Sequence, residues 1–100
     1  MQTAIAIQVL PRFENYNQEE LIKCVDKVIE FIITTGLDYE VSAFETTVEG
    51  DYEKLMEIIY HAPKIVINNG ADSVMCYIKL NHASERILTI EEKVSKHVQK

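Results

Sequence analysis

Glycine is scarce in this chain, and its three residues, Gly36, Gly50 and Gly70, are far apart. Phosphate cradles of the GxxxxGK and GxGxxG kinds need clustered glycines so that the backbone can close around an anion, and neither motif is present. Cysteine is as sparse. Cys24 falls in an apolar helical pattern and Cys76 in an apolar strand pattern, with no CxxC and no paired Cys/His spacing. Two cysteines allow one disulfide, but the surrounding pattern favours buried free thiols acting as small apolar residues, which points to a reducing cytoplasm. Positive charge is also short. Ten Lys and Arg against sixteen Asp and Glu give a net charge of −6, and Lys93, Lys96 and Lys100 are the nearest approach to a basic cluster. A binder of nucleic acid needs a basic face, so neither nucleic acid nor an anionic membrane is expected as a partner.

Other absences narrow the field further. No apolar run is long enough to cross a bilayer. The strand-like opening, Met1 to Leu10, has no basic leader and is ended by Pro11-Arg12-Phe13-Glu14, too early for a signal peptide. His61, His82 and His97 lie on different expected elements without ligand spacing, so no metal centre is expected, and no cofactor. No Ser or Cys has a local pattern of base and orienting group around it.

What is present reads as a single domain over residues 1–100, since this length supports one modest core and the composition, 47% hydrophobic and 26% charged, is that of a folded chain. Thr3 to Leu10 alternates, with Ile5, Ile7 and Val9 on one side and Ala4, Ala6 and Gln8 on the other. Asn17, with Glu20 three residues on, caps a helix carrying Leu21, Val25, Val28, Ile29 and Ile32, and Gly36 ends it. Leu37–Ala43 and Phe44–Glu49 read as two short strands reversing near Ser42-Ala43-Phe44. Gly50 supplies freedom to turn, and Asp51 caps a second helix. Its apolar register runs from Leu55 through Ile58, Ala62 and Val66 across Pro63, which predicts a continuous kinked helix ending at Asn69-Gly70. Ser73–Leu80 is the last strand, and Thr89 with Glu92 forms a capping box for a short final helix.

The order β-α-β-β-α-β-α predicts an α+β ferredoxin-like sandwich, a four-stranded antiparallel sheet with helices on one face. The other face carries Ala4, Ala6, Gln8, Glu40, Ser42, Thr47, Met75, Tyr77 and Lys79. That mixture predicts cover by a ligand or by another subunit, in a homodimer or homotetramer built through the sheets.

Within this frame, Ser42, Thr46, Thr47 and Glu49, with Gln8 on the neighbouring strand, gather polar groups where two strands, a glycine and a helix start converge. Strand propensity alone explains two threonines, and carboxylates on strands commonly keep an edge soluble. The convergence favours ligand contact, because backbone donors are free at such a place.

The Gly-Leu-Asp-Tyr-Glu-Val-Ser strand, Thr-Thr-Val-Glu-Gly-Asp, and the closing Ile-Lys-Leu-Asn with Thr-Ile-Glu-Glu-Lys-Val resemble the thiamine-binding, YkoF-like proteins of the UPF0045 type over essentially the whole chain. The resemblance implies a ferredoxin-like subunit, assembly through the sheets, and binding of thiamine or its hydroxymethylpyrimidine part without catalysis. It points to Tyr39, Glu40, Ser42, Thr46, Thr47 and Glu49 as the pocket region. Two departures stand out: Asn81-His82-Ala83-Ser84-Glu85 replaces a loop that often carries arginine, and Gln8 stands where a smaller hydroxyl residue is common. An acidic protein suits a cationic thiazolium, Ser, Thr and Gln can read an aminopyrimidine edge, and Tyr39, Phe44 or Tyr77 can face the rings. The expected function is therefore a cytoplasmic, non-enzymatic carrier or sensor. The competing readings are an oligomer without a small-molecule ligand and an acylphosphatase-like hydrolase, for which Arg12 is the sole candidate anion grip.

Overall fold

A computed structural model describes residues 2–95, so the expectations placed on Lys96, His97 and Lys100 lie outside the described residues. The elements are β1 (Thr3–Arg12), α1 (Gln18–Thr34), β2 (Asp38–Val41), β3 (Thr46–Gly50), α2 (Tyr52–Asn68), β4 (Ser73–His82) and α3 (Ile90–Val94). They form one antiparallel sheet in the order β2-β3-β1-β4. The expected α+β fold is the one observed.

Register explains which side chains reach the core, because residues directly opposite each other in an antiparallel pair share a face. Ile5 pairs with Val48 and Leu80, and Ile7 with Thr46 and Ile78, so these point toward α1 and α2. Ala4 pairs with Glu49 and Asn81, and Ala6 with Thr47 and Lys79, on the opposite face. Ile5, Ile7 and Val48 meet Cys24, Val28 and Ile32 of α1 and Leu55, Ile58, Ala62 and Val66 of α2 in a single buried cluster. The Cys24 thiol donates weakly to the carbonyls of Val66 and Asn69, both at 3.6 Å, tying the two helices together.

The local signals act largely as expected. The Asn17 side chain accepts from the Glu20 N–H at 3.1 Å, and Gly36 and Gly70 take positive φ at the two long helix ends. α2 runs unbroken through Pro63. Two details differ. Asp51 occupies the N-cap of α2, yet its side chain makes no capping hydrogen bond. Gly50 has no positive φ, so it is not needed as a turn: a Cβ there would come within 2.7 Å of Leu37 Cδ2, and the position is small because Leu37 packs on it.

The strands around the reversal are shorter than the alternation predicts. β2 ends at Val41 and β3 begins at Thr46, with Ser42–Glu45 as a turn closed by the Ser42 N–H on the Glu45 carbonyl at 2.9 Å. The face expected to be open is also partly covered. Ile90 and Val94 of α3 border a shared cavity with Ala4, Ala6, Glu40 and Thr47 on this face, where Ala4 is buried.

Candidate ligand-binding site

β1 and β3 differ in length, and that difference makes a cavity. β1 extends to Arg12, but its pairing with β3 stops at Ile7 opposite Thr46, so from Gln8 onward β1 has β4 alone as a neighbour. Backbone polar groups pointing to the missing side have no strand to meet. The α1 helix passes over this gap and the Ser42–Glu45 turn closes its end. Between them lies a cavity of about 210 Å³, walled by Ile7 to Leu10, by Val25, Val28, Ile29 and Ile32 of α1, and by Val41 to Thr46.

The walls are apolar and the polar groups few. Thr46, on the helix-facing side of β3, is only 6% exposed, and its hydroxyl makes no hydrogen bond among the described residues. No side-chain nitrogen or oxygen fully closed off from solvent lacks a partner there, so the hydroxyl is reached by solvent, and Thr46 lines the cavity. Ser42 stands at the turn, and Gln8 borders the gap while sharing the open face with its partner Tyr77. Phe44 is 80% exposed at the tip of the turn, and Glu45 at the rim lies 3.1 Å from the Lys79 ammonium.

The other expected site residues lie elsewhere. Glu40, Thr47 and Glu49 share the open face, and Tyr39, opposite Val48, takes the helix side of β2. Asp38, Tyr39, Glu40 and Glu49 border a wider cavity of about 540 Å³ beside α3, and Glu40 and Thr47 border one of about 300 Å³ on the other flank of that helix. Glu49, 4% exposed, is already engaged in the fold, since its Oε2 accepts from the Ile90 N–H at 2.8 Å and holds the start of α3 to the sheet. By the cavities they border, the expected residues fall into two groups, Gln8, Ser42 and Thr46 at the one beneath α1 and Tyr39, Glu40, Thr47 and Glu49 at those beside α3. The apolar contribution of α1 was not singled out from the sequence, because its side chains read equally well as core.

No group of three or more His, Cys, Asp or Glu suited to a metal occurs among the described residues, and no helix there is long and apolar enough to cross a membrane. Both cysteines are free, Cys24 buried and Cys76 partly so, and burial raises the pKa of each thiol.

Comparison with known proteins gives the family and repeats the fold. Residues 5–98 match the model of a family described as thiamine-binding protein. The chain belongs to that thiamine-binding protein family. A UPF0045 protein of Clostridium perfringens is 38% identical over 93 residues, covering 93% of this chain and 94% of the relative. Among solved structures, a domain of unknown function (DUF77) from Bacillus cereus superposes with a TM-score of 0.86 at 32% identity, covering 98% of this chain and 91% of that one. A Thermotoga maritima protein, provisionally described as acting in thiamine biosynthesis or salvage, gives 0.83 at 31% identity, over 98% and 100% of the two chains. These two solved structures share the fold with this chain along nearly their whole length.

Proposed function

We propose that this chain is a non-enzymatic, cytoplasmic binding protein for thiamine or its hydroxymethylpyrimidine part, serving as a carrier or sensor. The observation that carries the proposal is Thr46, a nearly buried residue that lines an apolar cavity beneath α1 and whose solvent-reached hydroxyl has no protein partner among the described residues. A solvent-reached hydroxyl without a protein partner can exchange water for a ligand's donor or acceptor, worth about 0.5–1.5 kcal/mol. At about 210 Å³ the cavity is smaller than the ~300–1,000 Å³ typical of sites for drug-sized ligands, so it suits one substituted ring. In this reading the aminopyrimidine enters the cavity, its edge met by Thr46, Ser42 and the unpaired main chain near Gln8. Phe44 and Glu45 then face the cationic thiazolium at the mouth.

The wider cavity beside α3 is a weaker choice despite its volume. Its best-buried polar group, Glu49, is already engaged by the Ile90 N–H, and Tyr39, Glu40 and Thr47 stay outside the proposed contact set. Family membership supports a small-molecule ligand of the thiamine class.

Calorimetric titration with thiamine and with hydroxymethylpyrimidine tests the reading. Saturable heat is expected from both, and no heat and no thermal shift with either at millimolar concentration removes it. The competing reading, a homo-oligomer without a ligand, draws on the apolar residues exposed on β4 and predicts no heat in that titration.

A further inference from the structure

The main-chain polar groups of β1 divide cleanly between its two sides. Successive residues of a strand direct their N–H and C=O alternately to one neighbour and the other. The carbonyl of Gln2, just before β1, accepts from the Ala83 N–H, and the Arg12 carbonyl accepts from the Asp72 N–H, each at 2.8 Å. Both bonds lie on the β4 side, and the register with β4 runs without a bulge from Thr3 to Arg12, so the even-numbered residues serve β4. The odd-numbered residues serve β3, where Thr3, Ile5 and Ile7 meet Gly50, Val48 and Thr46. Val9 and Pro11 come next on that side. Continued register would set Phe44 opposite Val9, but Phe44 has left the sheet in the Ser42–Glu45 turn and is 80% exposed. No turn or loop group among the described residues bonds to the Val9 main chain. Pro11 has no N–H to place, as suits a strand position without a partner on that side. Val9 is therefore the one donor that β1 turns to the gap beyond Ile7, with its own carbonyl beside it. It is partly buried and borders the cavity of about 210 Å³ together with Thr46.

Backbone donors and acceptors withdrawn from water require partners, and the absent strand would have supplied a carbonyl and an N–H side by side. We propose, resting on the ligand reading of this cavity, that the Val9 main chain takes a planar ligand in place of that strand and sets its chemical class: an edge with a hydrogen-bond acceptor next to an N–H donor, as in an amidine or an amino-substituted nitrogen heterocycle. The ring nitrogen accepts from the Val9 N–H, the amino group donates to the Val9 carbonyl, and the ring lies where β3 would have continued. A peptide strand is the poorer occupant, because α1 and the turn close the gap to a space suited to one ring. Ligands that lack either half of the edge are refused. Two methyl groups on the amino nitrogen remove its hydrogens, and the loss of that one hydrogen bond is worth roughly 2- to 10-fold in affinity.

Nuclear magnetic resonance of the full chain tests the assignment, with the Val9 amide as reporter. In the free protein this N–H is expected to exchange with solvent faster than those of Ile5 and Ile7, which β3 covers; protection equal to that of Ile7 overturns the proposal. Two probes are used, hydroxymethylpyrimidine and ortho-aminopyridine, which keeps the edge and nothing else of thiamine. Each is expected to slow that exchange and shift the Val9 amide resonance, and the dimethylamino form of hydroxymethylpyrimidine is expected to bind roughly 2- to 10-fold more weakly. An ester oxygen in place of the Val9 N–H, introduced by ligating synthetic residues 1–23 to a chain that begins at Cys24, is expected to weaken binding by the same factor and to leave the fold intact. A response of Val9 to ortho-aminopyridine without one to hydroxymethylpyrimidine upholds the edge and removes thiamine as the ligand. Binding of hydroxymethylpyrimidine that leaves Val9 unshifted and is indifferent to the ester overturns the edge alone, and silence of Val9 toward both probes overturns it as well.

Discussion

Thr46 joins the sequence to the proposed function at the scale of a single residue. Its side chain faces the helices because it sits opposite Ile7, and it keeps a free hydroxyl because the strand that would close the gap begins only at Thr46 itself. Thr46→Val removes the hydroxyl and keeps the shape. Thermal unfolding is expected to show no loss of stability, since no protein hydrogen bond is broken. Affinity for hydroxymethylpyrimidine is expected to fall roughly 2- to 10-fold, the worth of one neutral hydrogen bond at about 0.5–1.5 kcal/mol. A variant that unfolds earlier and binds as before would assign the hydroxyl to the fold instead. The polar identity of this position was legible in the sequence, and strand alternation sets Thr46 and Thr47 on opposite faces. What the sequence did not carry was the separation of Thr46 from Glu49: they are three residues apart, yet one lines the cavity beneath α1 and the other accepts from Ile90, forty-one positions away. Cys24 was legible as a buried free thiol from the apolar residues around it.

At the scale of elements, every helix and strand was foreseen in order, because each has a cap, a period or a stop of its own. The exceptions have physical causes. The Ser42–Glu45 turn has neither glycine nor asparagine, so alternation alone overran both adjoining strands. Pro63 sits inside α2, where it removes a backbone donor and crowds the preceding turn. Pro63→Ala is expected to raise stability by about 1–3 kcal/mol, visible as a higher thermal midpoint, and an unchanged or lower midpoint contradicts this. The placement of α3 over the open face was not legible, since a five-residue helix has too few apolar positions to declare its partner. Its start is held by the Thr89 capping box and by the Arg86–Glu92 pair, which lowers the Glu92 pKa from 4.5 to about 2. A carboxyl with a depressed folded-state pKa contributes its stabilisation above the unfolded value and loses it as pH falls through the folded one. The contribution of Glu92 is therefore expected to be complete above pH ~4.5 and lost on approach to pH ~2. Nuclear magnetic resonance titration of the Glu92 carboxyl checks this, with Arg86→Ala expected to move the midpoint up toward the ordinary value; no movement would mean that the pair does not form in solution.

For the molecule as a whole, the sheet organises three surfaces from one register. One face carries the core and, where β3 falls short of β1, the cavity beneath α1. The other face takes α3, and β4 forms the long outer edge of the sheet. Fold and family follow from the sequence alone because they rest on periodicity and caps spread over the whole chain. The cavity was not legible there, because it is a gap between α1, the β1 edge and a turn that lie far apart in sequence. Titration calorimetry of hydroxymethylpyrimidine into the wild-type protein and into Thr46→Val, run side by side, tests the central claim most directly. Saturable binding to the wild type that is weakened several-fold in the variant, with both proteins equally folded, is the predicted result. Absence of binding to the wild type, or equal binding to both, would contradict it.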